Sequence, residues 1–295
     1  MKKNQNVVPK ELIQGKKSSW LRSIIKSNKT LHRFFYKLLR CNRYVWILRN
    51  FWKDTDKLFS YISIETCPIC NRKCSFCPIS QDKTPKRLMT NELFDKIIRE
   101  LKELDYRQEI ILSLYGEPLL DKRLEKFTKK IKVELGSRVT FFTNGDFLTT
   151  KRFRKLVSAG VDLIVVTQHD PEPSETIKNL FSQISSAEWK YISYKTIKED
   201  SQILTNRAEL VKVSTLHPIS CILSLVIVRA DGSVPICCND YYNEVNFGNV
   251  NQKKLINIWN SPFYRRIRNK LKRGIFNLAI CKRCRGVLPS KKYEA

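Results

Sequence analysis

The sequence predicts an α/β fold with a parallel sheet through its middle section. Three observations predict it. Between residues 61 and 200, short runs rich in β-branched residues alternate with amphipathic helical runs. Each helical run is long enough to carry a crossover between parallel strands. A cysteine cluster follows the first strand directly, at the end of the sheet where such folds place their chemistry.

The elements follow in order. YISIET (Tyr61 to Thr66) reads as a strand by its alternation. TNELFDKIIRELKEL sets Leu93, Ile97 and Leu101 on one helical face behind a polar start. Then come EIILSLY as strand, DKRLEKFTKKIKVEL as helix and RVTFFTNG as strand and turn. TKRFRKLVSAG is a helix that Gly160 is expected to cap. VDLIVVT is a strand, SETIKNLFSQI a helix and KYISYKTI a strand.

Two sections flank this core. Residues 1–60 are a basic amphipathic helical extension, with fifteen Lys/Arg against three acids. Leu31, Phe34, Phe35, Leu38 and Leu39 share one face of it. Such a segment can rest on an anionic membrane surface, or pack on the main domain or a partner. In residues 201–295, CILSLVIVRADGSVPICC reads as a hairpin turning at Asp231-Gly232. KKLINIWNSPFYRRIRNKLKRG reads as helix, break at Pro262, helix.

The chain of 295 residues carries a net charge of +27, which attracts nucleic acid, anionic lipid or phosphorylated substrates. No apolar run is long enough to span a membrane, and the start lacks the apolar stretch of a secretion signal. A cytoplasmic, reducing location is therefore expected, peripheral at the inner membrane face if the extension touches lipid. Ten cysteines there are metal ligands before they are disulfides, and three histidines are too few for imidazole-rich sites.

TCPICNRKCSFCP (Thr66 to Pro78) has two readings. Cys67/Cys70 with Cys74/Cys77 would be two zinc knuckles, but such knuckles need roughly twelve to twenty residues between them. Cys70, Cys74 and Cys77 at C-x3-C-x2-C would instead wrap one face of an iron–sulfur cube and leave one iron open. Cys67 is then a spare thiol. Cys41 reads as a packing residue.

Cys70 to Cys77, with Phe76 before the last cysteine, resembles the signature loop of the radical S-adenosylmethionine (radical SAM) family. Gly116-Glu117-Pro118 is similar to that family's GGEP motif, with Tyr115 in place of the first glycine. Thr143-Asn144-Gly145 resembles its TNG turn. The resemblance implies a partial (β/α)6 TIM-like barrel with a small α+β C-terminal auxiliary-cluster domain. It implies a 4Fe-4S cluster on Cys70, Cys74 and Cys77 that binds S-adenosylmethionine. Gly116, Glu117 and Pro118 would hold the methionine amino group, and Thr143 and Asn144 would lie near the nucleoside. Phe76 is expected at the cofactor. His169 and Asp170, after the fourth strand, are expected at the ribose or the substrate.

Cys221, the Gly232-x4-Cys237 step, FGNV, IWNS and the closing Cys281-x2-Cys284 resemble the SPASM extension in a shortened, twitch-like form. The resemblance implies an auxiliary 4Fe-4S cluster on Cys221, Cys237, Cys281 and Cys284, and all-cysteine zinc is the alternative. Cys238 is then a candidate hydrogen-atom donor, which would make the enzyme an epimerase, or a replacement ligand for Cys237. Arg207 is a candidate grip for a carboxylate, phosphate or hydroxyl pair. The expected function is generation of a 5′-deoxyadenosyl radical that abstracts hydrogen from a small polar substrate: a sugar, aminocyclitol or nucleotide-linked sugar. The outcome would be dehydrogenation or epimerisation, with flavodoxin or ferredoxin as electron donor. The rivals are a maturase of ribosomal peptides and, from another class, a zinc-bound nucleic-acid-binding module.

Overall fold

The computed structural model describes residues 58–196, 221 and 224–285, with Ala208 and Leu210. The basic extension up to residue 57 and Arg207 lie outside the described residues.

Six strands form one parallel sheet: β1 (Tyr61–Ile64), β2 (Glu109–Ile111), β3 (Arg138–Thr143), β4 (Leu163–Gln168), β5 (Ile192–Thr196) and β6 (Leu225–Val228). Their spatial order is β5-β4-β3-β2-β1-β6, the order of a partial (β/α)6 barrel. Helices α1 (Asn91–Glu103), α2 (Leu124–Leu135), α3 (Thr150–Ser158) and α4 (Glu175–Gln183) cross between the first five strands. Short polar residues start them. The side chains of Thr90, Thr149 and Ser174 accept from the backbone N–H groups of Leu93, Arg152 and Ile177. Gly136, at φ 65°, closes α2 in the left-handed region. Ala159 caps α3, and Gly160 takes the left-handed position one residue later.

One face of the sheet packs on the helices. Ile62, Ile64, Ile110, Leu112 and Phe141 are fully buried there with Leu93, Ile97, Phe127 and Phe153. Phe94 stacks on Phe127 at 3.9 Å between α1 and α2. Because side chains alternate along a strand, Ser63, Ser113 and Phe142 point the other way, into the barrel. Phe142 is 46% exposed although β3 is an interior strand, so the barrel interior is open.

The hairpin expected at 221–238 is corrected. β6 pairs in parallel with β1 (Tyr61↔Leu225, Ile64↔Val228). β7 (Ser233–Pro235) pairs antiparallel with β8 (Asn246–Asn249) instead. The turn exists, with Gly232 at φ 85°. Val226, Ile227 and Val228 are all buried, however, and a run buried on both faces belongs to a parallel sheet rather than to a hairpin. The chain then adds α5 (Leu255–Trp259), α6 (Pro262–Lys272) and α7 (Ala279–Cys284). The break expected at Pro262 is the start of α6, where Ser261 caps the backbone of Tyr264. No helix among the described residues is long and apolar enough to cross a membrane.

Candidate cofactor site at the strand ends

The loop that leaves β1 carries Cys70, Cys74 and Cys77, all partly exposed. Backbone and hydroxyl bonds hold its shape. Cys77 N–H donates to the Cys74 carbonyl, and Ser80 Oγ donates to the same carbonyl at 2.8 Å. Burial pushes the Cys74 thiol up to about 11, and Cys77 and Cys70 add to it. Burial also raises Cys70. Three soft thiols gathered on one loop, with Cys77 and Cys70 opposing the ionisation of Cys74, fit a cluster whose iron charge replaces their protons.

Arg72 fastens this loop to two other strand ends. Its Nε donates to Asp146 Oδ2 at 2.7 Å and its Nη2 to Oδ1 at 2.6 Å. Its Nη1 lies 2.8 Å from Asp170. Asn71 donates to Asp146 and accepts from Asn144. Burial would raise the Asp146 carboxyl, but the bonds from Arg72 and Asn71 outweigh it and hold it below the usual carboxylate range. A depressed native pKa adds stability above the unfolded pKa, and that stability is lost as pH falls through the native one. Asp146→Asn is therefore expected to lower the Tm of the metal-free protein at neutral pH. The gap between variant and parent should narrow as pH falls below the ordinary carboxylate range. Thermal melts across pH test this, and a gap that persists in acid would contradict it.

His169 and Phe76 meet over the same loop. Their rings stack at 5.5 Å with planes 8° apart, and His169 Nδ1 lies 3.7 Å from Cys74 Sγ. Burial and then the Arg72 charge lower the His169 pKa, so the ring is neutral at pH 7.

The second motif locks onto the first. Glu117 N–H donates to the Ile69 carbonyl at 2.8 Å. Glu117 itself is 2% exposed. Its Oε1 accepts from Thr143 Oγ1 and Leu119 N, and its Oε2 from Asn144 N. Burial raises its pKa against those bonds. Of about four lone-pair directions on a carboxylate, roughly one remains for an ammonium group. Glu117 thus joins the Gly116-Glu117-Pro118 turn to the Thr143-Asn144-Gly145 turn. Pro118 is buried and opens a short 3-10 turn that ends before Asp121. Cys67 is buried, its thiol pushed up to about 11 by burial, with Sγ 3.6 Å from the Ile69 carbonyl. It sits beside the cluster loop as a packing thiol.

The C-terminal cysteines gather beyond β7. Burial pushes Cys281 up to about 12, with Cys284 next among the causes. Cys221 is exposed as a residue, yet crowding around its sulfur raises it too, with Cys281, Cys284 and Cys238 adding to it. Cys237 is raised by burial and then by Cys238. Asn239 Nδ2 lies 3.3 Å from Cys284 Sγ. The donor set fits an all-thiolate cluster, and Cys237 and Cys238 both lie within its electrostatic reach.

Three residues that sequence reasoning passed over join the two cysteine sites. Tyr115 donates its hydroxyl to the Cys238 carbonyl, and its ring meets Tyr241 edge-on at 4.7 Å. Tyr241 donates to Asp82 Oδ2 at 2.7 Å, on the segment after the first cysteine loop. Glu65 follows β1 and accepts from Tyr115 N. Tyr115 had a signal, since it departs from the motif it sits in. Glu65 and Tyr241 had none.

A family model described as the radical SAM superfamily matches residues 64–196, and one described as an iron–sulfur cluster-binding domain (SPASM) matches 221–285. The S-adenosyl-L-methionine-dependent 2-deoxy-scyllo-inosamine dehydrogenase of Niallia circulans is 30% identical over 240 residues, 79% of this chain and 95% of that protein. The crystal structure of BtrN in complex with AdoMet and 2-DOIA superposes with a TM-score of 0.71 at 31% identity, over 77% of this chain and 93% of that one. The structure of anSMEcpe with bound AdoMet, at 12% identity and a TM-score of 0.53 over 72% of this chain and 80% of that one, shares the fold. A barrel of this strand order, a cysteine loop at the end of β1 and a relative similar along nearly its whole length agree: the chain belongs to the radical SAM superfamily and carries a C-terminal SPASM iron–sulfur domain.

Proposed function

We propose that this enzyme dehydrogenates a hydroxyl of a small polar ring, an aminocyclitol or a close chemical relative. The observation that carries the proposal is the similarity to a dehydrogenase of 2-deoxy-scyllo-inosamine over 95% of that protein. Cys70, Cys74 and Cys77 would hold the iron–sulfur cluster, and S-adenosylmethionine bound with it would supply the radical chemistry that removes hydrogen from the substrate. The protein's own residues place and shield this chemistry. Phe76 and His169 cover the cluster loop, and Arg72 fixes it to Asp146 and Asp170. Gly116, Glu117 and Pro118 present the methionine end, and Thr143 and Asn144 the nucleoside end. Cys221, Cys237, Cys281 and Cys284 hold the auxiliary cluster, with Tyr115 spanning from the first site to its loop. Arg207 grips the substrate. Flavodoxin or ferredoxin supplies the electron, and the basic extension rests on an anionic membrane face. β6 is contributed by the section after residue 200, so the small domain is built outward from the barrel's last strand.

The test is anaerobic turnover of 2-deoxy-scyllo-inosamine with S-adenosylmethionine and a reductant. A product lighter by one H2, formed with one 5′-deoxyadenosine per turnover, supports the reading. An isomer of unchanged mass, lost in Cys238→Ala, would instead make Cys238 a hydrogen donor and the enzyme an epimerase. Release of 5′-deoxyadenosine that does not depend on the aminocyclitol would remove this substrate class.

A further inference from the structure

The barrel interior contains a charged pair that the bonding of the protein leaves incomplete. Glu65 and Arg229 each stand one residue past the paired strand ends Ile64 and Val228, side by side on the inward face. Glu65 is 2% exposed. Its Oε1 reaches Tyr115 N only at 3.5 Å, and Oε2 has no hydrogen-bond partner within that distance among the described residues, although the backbone N–H of Ala230 is near enough to favour the charged carboxylate. Arg229 donates from Nη1 to the Tyr241 carbonyl at 2.9 Å, while its buried Nε has no hydrogen-bond partner among the described residues. These two orphan atoms face each other at 3.7 Å. That is an ion-pair distance, but it is longer than a hydrogen bond, which closes at about 2.7–3.2 Å. Buried charged groups rarely stay unbonded, because each then bears its full desolvation cost.

The position is informative. Tyr115 lies directly before the Gly116-Glu117-Pro118 turn and donates to the carbonyl of Cys238, beside the auxiliary cysteines. The pair therefore sits between the two cysteine sites, on the interior face of an open barrel. Its chemistry is selective. One atom is an acceptor and the other a donor, so a group that bridges them must both donate and accept. A hydroxyl does this with one oxygen. An ammonium only donates, and would meet the guanidinium charge. A carboxylate only accepts, and would meet Glu65.

We propose that Glu65 and Arg229 form a hydroxyl-binding subsite of the substrate pocket, in which one ring hydroxyl accepts from Arg229 Nε and donates to Glu65 Oε2. Tyr115 and Tyr241 border it, and the Arg229 guanidinium lies 5.8 Å from the Tyr241 ring. Both atoms are buried in the free protein, so the ring hydroxyl must part the side chains around them, and a permanently held water is the competing occupant. This assignment deepens the aminocyclitol reading and rests on it for the choice of first probe.

The experiment is ligand binding to the reconstituted holoenzyme with S-adenosylmethionine. The probes are 2-deoxy-scyllo-inosamine, its singly deoxygenated analogues and scyllo-inositol. The proteins are the parent, Glu65→Gln and Arg229→Lys, with iron content as the folding check. The parent should lose at least tenfold in Kd for one particular deoxy analogue. In both variants the intact ring and that analogue should bind within about twofold of each other. If the parent binds scyllo-inositol but no aminocyclitol, and the variants lose that binding, the subsite stands and the substrate reading falls. If both variants keep the parent's discrimination, or no polyol binds in a way that depends on Glu65 or Arg229, the subsite is overturned. A crystal structure with ligand bound that shows the same ordered water still bridging the pair would overturn it equally.

Discussion

Protein in which Cys70, Cys74 and Cys77 are all replaced by alanine is expected to carry about four iron per chain, against about eight in the parent, and to cleave no S-adenosylmethionine. The loop should survive the substitution. Its shape is set by Arg72 on Asp146 and Asp170, by Asn71 on Asn144 and Asp146, and by Ser80 on the Cys74 carbonyl. None of these fastenings uses a sulfur, although Arg72 N also reaches Cys70 Sγ and His169 Nδ1 lies 3.7 Å from Cys74 Sγ. The auxiliary thiols belong to a different part of the chain, so their iron should remain. The expected loss is thus local and chemical, because these three thiolates are what would hold the iron. Iron analysis and 5′-deoxyadenosine release, measured anaerobically on the same preparation, check both halves. A triple variant that retains parental iron and parental cleavage would remove the cluster from this loop.

How far the sequence discloses such a site depends on how local its signals are. The three motifs each occupy a few consecutive residues, so spacing and residue type expose them. The strands β1 to β5 were legible for the same reason, since apolar alternation and helix caps are written within one element. β6 was not. Its apolar run fits a hairpin as well as a buried parallel strand, and only the edge offered by β1 decides between them. The contacts that assemble the site are less legible still. Arg72 meets Asp146 across 74 residues, and Tyr115 meets the Cys238 carbonyl across 123. Glu65 and Arg229 become neighbours because β6 returns to β1, a fact of strand order that no local pattern carries. Arg229 had no signal of its own: in sequence it is one more cation in a chain with 55 Lys and Arg.

Gly116→Ala is expected to damage both cofactor motifs through a single methyl group. A Cβ at Gly116 would lie 2.0 Å from the Cys67 carbonyl oxygen and 2.8 Å from both the nitrogen and the oxygen of Ile69. All three are backbone atoms, so no side chain can swing away to admit it. The chain between Cys67 and Cys70 must move, and it carries the Cys70 thiol with it. The same shift pulls the Ile69 carbonyl off Glu117 N–H, the bond that seats one motif on the other. Overpacking of this kind costs about 1–3 kcal/mol, sometimes more. The variant should therefore melt several degrees lower and bind S-adenosylmethionine at least about tenfold more weakly, since roughly 1.4 kcal/mol misplaced at the site is worth that factor. Gly136→Ala separates this effect from the general cost of losing a glycine. Gly136 has a positive φ of 65°, but a Cβ there meets only the end of the Arg107 side chain at 3.5 Å. That variant should lose about 1 kcal/mol of stability from its left-handed backbone and keep its affinity for S-adenosylmethionine. Equal affinity in the parent and both variants would mean that the close approach of Gly116 to Cys67 and Ile69 does not hold the site together.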